Sequence, residues 1–332
     1  MESYIFIWYL SAFNTFKKLI SMSSIKFKTS IFFCFLIIFG TSTLFSQQLR
    51  VASYNLRYDN PGDSLDNWKY RKNVMSELIL FHDFDIFGTQ EGLHHQLEDL
   101  SERLHVYDYV GVGRDDGKNK GEHSAIFYKT EMFELLDNGD FWLSEDTTQP
   151  NKGWDAVLPR ICSWGKFRDK STGFTFLFFN THFDHVGTEA RKESAKLIMK
   201  KILDFAGDTP TLLTGDFNVD QHSDSYLVLN NSGLLKDTYD NALLRYGAKG
   251  TFNGFNINAR SKSRIDHIFT TDDFNVLKHG VLTDTYQTLE TDLQELIDSG
   301  DHPKEITLFE NQARLPSDHY PVLVVLKYKG DN

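Results

Sequence analysis

Short apolar runs alternate with amphipathic stretches along most of the chain. Runs of strand length occur at 49–54, 84–88, 125–128, 161–167, 174–179, 211–213, 265–269 and 322–326. Several are continuous rather than alternating, the pattern of strands covered on both faces. Between them, Trp68 to Phe81 carries Val74, Leu78 and Phe81 on one side, and 189–205 carries Ala190, Leu197, Ile198, Ile202 and Phe205. Both spacings predict helices. Strands interleaved with helices predict an α/β or α+β layered domain. No Ser/Pro-rich linker, heptad run or long-period repeat interrupts 47–332, so that span reads as one domain. The acidic stretch 285–314 stands apart, with Leu289, Leu293, Leu296 and Ile297 at helical spacing and Gly300 and Pro303 as breakers. It predicts an inserted helical segment, either a solvated helix or a lid.

The first 46 residues follow a different rule. Lys26 and Lys28 precede an unbroken apolar run at 31–40, then Thr41-Ser42-Thr43 and a polar start after Ser46. A basic region, an apolar core of about ten residues and a small residue before the polar start predict a secretory signal peptide cleaved near Ser46. The core is shorter than the roughly 20 residues of a membrane-spanning helix, although an uncleaved anchor is the alternative. Cys34 lies inside the run and suits lipid attachment poorly. The stretch before Met22 reads as an over-long start, with 4–10 itself apolar. The expected location is periplasmic or extracellular, without integral membrane association after processing.

Composition narrows the classes. At 332 residues, 40% hydrophobic and 24% charged, with 22 Gly and 7 Pro, the chain is ordinary globular protein. A chain this long buries roughly three quarters of its unfolded surface and needs no disulfide to fold; its only cysteines are Cys34 and Cys162. Loss of residues 1–46 removes Lys17, Lys18, Lys26, Lys28 and Glu2, leaving 31 basic and 45 acidic residues and a net charge of −14. Such a surface repels polyanions and argues against a stable nucleic-acid complex or docking on an anionic membrane. Nothing calls for an obligate oligomer, and a monomer is expected.

The chemistry collects where the apolar runs end. The run at 49–54 leads to Asn55, 84–88 to Gln90-Glu91, 174–179 to Asn180-Thr181-His182 and 211–213 to Gly215-Asp216-Phe217-Asn218. Arg264-Ile265-Asp266-His267 opens a strand, and Ser317-Asp318-His319 precedes the last one. This repetition places the polar side chains at one edge of a sheet, where sites collect in layered folds. Glu91, Asp216, Asp266 and Asp318, with the neutral oxygens of Asn55 and Asn218, form a hard oxygen donor set suited to Mg²⁺ or Mn²⁺. His182 and His319 can donate to a developing oxyanion or move a proton. With no Gly-rich phosphate loop, Gly-x-Ser-x-Gly elbow or Cys nucleophile, the set points to metal-assisted hydrolysis without a covalent intermediate. Asp184 and His185 read either as support for the site or as a surface turn, and Cys162 as a buried small apolar residue.

Six motifs, S-Y-N-L-R (53–57), T-Q-E (89–91), N-T-H (180–182), G-D-F-N (215–218), R-I-D-H-I (264–268) and S-D-H-Y-P-V (317–322), stand in the order and spacing of the endonuclease/exonuclease/phosphatase superfamily. The resemblance spans about 49–328 and implies a DNase I-like four-layer α/β/β/α sandwich. The stretches 111–117, 125–129 and 180–185 look closest to a secreted bacterial branch that also resembles nocturnin-like members. By this resemblance, Glu91 with Asn55 and Asp318 would hold the divalent ion, one or two in number. Asp216 would activate water with Asn218 fixing its geometry, and Asp266 would orient His319 so that His319 and His182 face the phosphoryl oxygens. Arg160, opening the strand at 161, is an expected phosphate clamp alongside Asn218 and His182. The implied activity is an exported phosphoesterase attacking a phosphodiester or phosphomonoester with water, nuclease- or nucleotide-type substrates being slightly favoured. The alternatives are a sphingomyelinase-like lipid phosphodiesterase and a non-catalytic binding module. A basic substrate groove is not visible beyond Arg114, Lys118 and Lys120.

Overall fold

The computed structural model describes residues 48–287, 303, 305–309 and 312–329. The chain divides into two units, 1–46 and 47–332. The expected signal peptide lies outside the described residues, and so do Leu289, Leu293, Leu296 and Ile297 of the expected insertion. Among the described residues, no helix is long and apolar enough to cross a membrane.

Two mixed sheets form the body of 47–332. Strands β1 (Gln48–Asn55), β2 (Ile86–Gln90), β3 (Tyr107–Val110) and β4 (Ile126–Lys129) join one sheet; β5 (Phe133–Trp142), β6 (Ile161–Asp169), β7 (Thr175–His182), β8 (Thr211–Asp216) and β9 (Lys236–Asp237) join the other. β10 (Leu244–Gly247), β12 (Phe274–Val281) and β15 (Val322–Tyr328) return to the first, and β11 (Asp266–Thr270) to the second. The seven-stranded sheet runs β10-β12-β15-β1-β2-β4-β3 and the six-stranded sheet β5-β6-β7-β8-β11-β9. β13 (Tyr286–Gln287) and β14 (Ala313–Arg314) pair antiparallel, which pins the two ends of the excursion between them.

The strand period of two sorts the core into layers. Leu49 and Val51 of β1 meet Phe176 and Phe178 of β7 and Leu212 of β8 in one cluster between the sheets. Leu177, Phe179 and Leu213, the alternate residues, face α3 (Thr188–Ala206) and α4 (Asp224–Asn230) through Ile198, Ile202 and Leu229. On the other side, Ala52, Tyr54 and Phe87 pack under α1 (Trp68–Phe81) and α2 (His94–Ser101). The order is helix, sheet, sheet, helix, as the resemblance implied.

Asn67 starts α1 by accepting the Lys69 N–H at 3.3 Å, an N-cap that occupies one of the first turn's free donors. The buried face is Trp68, Met75, Leu78 and Ile79, not the expected Val74–Leu78–Phe81 stripe, and Phe81 is 83% exposed. In α3, Phe205 likewise turns outward, its ring resting against Trp164 and Phe179, while Ala190, Ala195, Ile198 and Ile202 face the sheet. A short fifth helix, α5 (Thr238–Asn241), follows β9.

At one end of the layer between the sheets, apolar packing gives way to polar contacts. Gln90 Nε2 donates to Asn180 Oδ1 at 2.7 Å, Thr214 Oγ1 donates to the same oxygen at 3.0 Å, and Asn180 Nδ2 donates to the carbonyls of Thr89 and Ala125. Gly88 sits against this network: a Cβ there would lie 2.2 Å from Asn180 Oδ1 and 2.3 Å from Thr214 Oγ1. The sheets approach this closely only because the position has no side chain.

Candidate active site

Strand register brings the polar ends together. β1 and β2 are parallel with Asn55 opposite Gln90, and β7 and β8 are parallel with His182 opposite Asp216. β11 runs antiparallel to β8 with Asp266 opposite Asp216, and β15 runs antiparallel to β1 with Ser53 opposite Val322. The ends of β1, β2, β7 and β8 and the starts of β11 and β15 therefore share one edge. Ser317 Oγ locks the last of these by donating to the Asn55 carbonyl at 2.7 Å. The buried Arg71 adds bonds to the carbonyls of Leu56, Arg57 and Pro316, tying the loop after β1 to the loop before β15.

A cavity of about 550 Å³ opens at this edge, within the usual range of small-molecule sites. Glu91, Arg160, His182, Asp216, Asn218, Asp318 and His319 line it. Asn55 and Asp266 stand behind, each bonded to a lining residue, so all nine expected residues come together. Three lining residues, Arg57, Glu91 and Asn218, hold φ of 56°, 63° and 51°. Left-handed backbone is costly for residues with a Cβ, and it concentrates where side-chain direction matters more than strain.

Asp216 is the hub. Its Oδ2 accepts from Asn55 Nδ2 at 2.9 Å and lies 3.6 Å from His182 Nε2 and 3.7 Å from His319 Nε2, while Oδ1 accepts the Asn218 N–H at 2.9 Å. Burial, with Asp266 adding to it, raises the Asp216 carboxyl against the pull of His319. His319 Nδ1 donates to Asp266 Oδ2 at 2.9 Å. Burial alone would keep that ring neutral, but Asp266 and Asp216 overcome it and hold the His319 pKa well above its ordinary value. His319 is thus an imidazolium whose Nε2 lies 3.7 Å from Asp216 Oδ2.

His182 is its opposite. Burial, reinforced by Arg160, pushes its pKa down to about 3, so the ring is neutral. Asn218 Nδ2 donates to the Phe183 carbonyl at 3.0 Å, which fixes the amide orientation, and lies 3.1 Å from His182 Nε2. Nε2 therefore accepts, and the ring proton sits on Nδ1, 3.6 Å from Glu122 Oε2. The expectation that His182 faces the phosphoryl oxygens as a donor meets this difference: Asn218 already occupies the nitrogen beside Asp216.

Asn55 differs in a similar way. Its Nδ2 bridges Glu91 Oε1 (3.1 Å) and Asp216 Oδ2 (2.9 Å), while its Oδ1 accepts the Arg57 N–H. It braces two carboxylates rather than offering its oxygen to an ion. The donor set still fits a hard divalent cation. Glu91 and Asp216 each offer a carboxylate oxygen within 4.8 Å of the other. Two carboxylates at that separation repel by about 3–4 kcal/mol at an effective dielectric near 20. Burial and the neighbouring Glu91 push Asp318 up to about 6, a second sign of excess negative charge. A cation between the carboxylates relieves both.

Other residues at the site lie outside the expected nine, among them Asp184 and His185, which the sequence left between support for the site and a surface turn. Glu122 lines the cavity and binds Arg114 through both oxygens at 2.5 and 2.8 Å, so Arg114 is a buried partner and not a free cation. Asp184, 1% exposed, accepts the N–H groups of Val186 and Gly187 and holds Arg160, while His185 lines the cavity. Phe252 packs edge-on to His319 at 5.1 Å. Glu122 and Phe252 lie outside the six motifs, and only their neighbours in space give them meaning.

Similarity to known proteins agrees with this geometry. The model of the Endonuclease/Exonuclease/phosphatase family matches residues 52–319. An endonuclease/exonuclease/phosphatase family protein from Bacteroides thetaiotaomicron is 52% identical with a TM-score of 0.78, covering 85% of this chain and 98% of that one. A mannosyl-6-phosphatase from the same species is also 52% identical with a TM-score of 0.77, covering 84% of this chain and all of that one. Nocturnin of Drosophila melanogaster is 26% identical over 57% of this chain and 31% of its own length. The chain spans 31–61% of the length of the curated relatives it matches. The chain belongs to the Endonuclease/Exonuclease/phosphatase family.

Proposed function

We propose that this chain is an exported, divalent-metal-dependent phosphomonoesterase that releases phosphate from a hexose phosphate such as mannose 6-phosphate. The observation that carries the reading is the cavity of about 550 Å³ that is lined by Asp216 and His319. Its wall mixes acids with Arg57 and Arg160. The likeness to a mannosyl-6-phosphatase over nearly the whole domain supports the sugar class over the nucleotide class favoured by sequence motifs. The basic, apolar and small-residue order of 26–46 supports export.

Mg²⁺ or Mn²⁺ held by Glu91 and Asp318 would neutralise phosphoryl charge and polarise the ester. Asp216, fixed by Asn55 and by the Asn218 N–H, orients water and takes its proton. His319 donates from Nε2 to a phosphoryl oxygen as charge builds there, a contribution of about 3 kcal/mol for a preorganised donor. Asp266 keeps that imidazolium charged and aimed. Asn218 holds the far side of Asp216 through its N–H and holds His182 through its amide.

The test is phosphate release by the purified protein with Mg²⁺, Mn²⁺ or EDTA. The panel is mannose 6-phosphate, p-nitrophenyl phosphate, bis-p-nitrophenyl phosphate, RNA, single-stranded DNA and sphingomyelin. Metal-dependent release from the monoesters, abolished in Asp216→Ala, is expected. Turnover confined to RNA, DNA or sphingomyelin overturns the substrate class, and turnover unaffected by EDTA overturns the metal dependence.

A further inference from the structure

Beyond His182, the cavity has a polar wall that phosphoester cleavage does not use. Arg160 is 4% exposed, yet its Nη1 has no hydrogen-bond partner although the residue lines the cavity. Its other nitrogens are taken: Nε lies 3.4 Å from Asp184 Oδ2, and Nη2 is 3.0 Å from His185 Nδ1. A guanidinium only donates, so His185 Nδ1 accepts and the neutral ring carries its proton on Nε2. Glu122 adds carboxylate oxygens whose remaining lone pairs are not used by Arg114. Leu158 completes this side of the cavity, and Phe252, 46% exposed, presents an aromatic face elsewhere in its lining.

The charges on this wall arrive already balanced. Asp184 offsets Arg160, and Arg114 offsets Glu122. A phosphate dianion gains little from an arginine already paired with a carboxylate. A neutral group with several hydroxyls suits two free donors beside an acceptor, and an apolar face suits its C–H edges. A buried, unpartnered donor is costly unless a ligand completes it. Resting on the phosphomonoesterase reading above, we propose that Arg160, His185 and Glu122 form a leaving-group subsite that recognises adjacent hydroxyls of a pyranose. Arg160 then selects the sugar and does not clamp the phosphate.

The experiment compares kcat/KM for mannose 6-phosphate and for p-nitrophenyl phosphate, whose leaving group carries no sugar hydroxyls. The variants are His185→Ala, at an exposed position, and Arg160→Lys. The preference for the sugar substrate is expected to fall by about tenfold or more in each variant, the scale of a lost hydrogen bond to a charged or fixed donor. A parallel loss on both substrates assigns Arg160 to the phosphoryl group and overturns the proposal, as does an unchanged preference. Methyl α-mannoside supplies an independent arm: it should inhibit p-nitrophenyl phosphate hydrolysis competitively in the wild type and more weakly in His185→Ala. Should the wild type cleave p-nitrophenyl phosphate but no hexose phosphate, the hexose reading falls. The mannoside arm then still decides the subsite, with absence of inhibition overturning it.

Discussion

Replacing Asp266 by asparagine removes one charge and almost no volume from a site whose working state depends on that charge. Asp266 is 1% exposed, and its Oδ2 accepts from His319 Nδ1 at 2.9 Å. Its Oδ1 has no hydrogen-bond partner. The carboxylate–imidazolium attraction at about 4 Å between charge centres is roughly 4 kcal/mol at an effective dielectric near 20. The substitution removes the hydrogen-bonded carboxylate that supports the charge, so the His319 pKa falls and the imidazolium fraction drops. If the imidazolium contributes about 3 kcal/mol to the transition state, kcat falls roughly 150-fold. KM changes little, because the charged donor matters most as phosphoryl charge builds. The measurement is kcat and KM on p-nitrophenyl phosphate at saturating metal, with thermal unfolding to confirm the fold. The variant's His319 titrates lower, so its protonated fraction rises as pH falls, and part of the lost kcat should return in mildly acidic buffer. A folded variant within about fivefold of wild-type kcat, or one that loses only KM, refutes the assignment of His319 as a charged donor.

Other perturbations test separate parts of the structure. Gly88→Ala forces a methyl within 2.2–2.3 Å of Asn180 Oδ1 and Thr214 Oγ1, so Tm should drop by about 5 °C or more, and an unchanged Tm contradicts the close approach of the sheets. Glu91→Gln should weaken divalent-ion binding by about a hundredfold in a calorimetric titration while raising the Tm of the metal-free protein, because one change removes a ligand and a repulsion; a metal-free Tm that falls instead refutes the account of excess negative charge. His279 is buried, its Nδ1 donates to Thr238 Oγ1, and its Nε2 has no partner to receive a proton; burial, opposed by Asp237 and aided by Arg264, His267 and Arg245, lowers its pKa from 6.5 to about 4. The unfolded chain binds that proton first, so stability is full above about pH 6.5 and falls by up to about 3 kcal/mol as pH drops towards 4. Urea unfolding across that window should show a shallower slope in His279→Gln, and an identical slope refutes the linkage.

How far the chain could be read from its letters depends on which interactions made each element. All eight expected strands are present, because continuous apolar runs between two covering layers leave little choice. Their ends moved in one direction: 211–213 grew to Thr211–Asp216 and 174–179 to Thr175–His182. The ladder of backbone hydrogen bonds does not stop where the apolar residues stop, and this overrun carries Asp216 and His182 to the edge. β5 went unseen because Glu134, Asp137, Asn138 and Asp140 break its pattern; it survives as an outer strand paired with β6 alone. In α1 the boundaries were legible and the buried face was not. Arg71 occupies a core position there by donating to four carbonyls, and no apolar period marks such a residue.

The site divides along the same line. Asp216, His319 and Glu91 were legible because residue type and strand-end position suffice to place a carboxylate or an imidazole at the edge. What letters could not give is the sign of each group's contribution, since that depends on a partner. Arg114 reads as a free cation until Glu122 claims both ends of its guanidinium, and Arg160 reads as an unpaired cation until Asp184 is found 3.4 Å from its Nε. Asn55 reads as an oxygen ligand until Glu91 and Asp216 turn its amide nitrogen toward them. His182 and His319 are the clearest pair: two buried imidazoles lie 3.6 and 3.7 Å from the same carboxylate oxygen, one neutral and one charged. Asp266 stands behind one ring, while Asn218 donates to the other and Arg160 stands near it. A strongly acidic protein can therefore act on anions, because the charge that matters is set by a few pairings at one sheet edge.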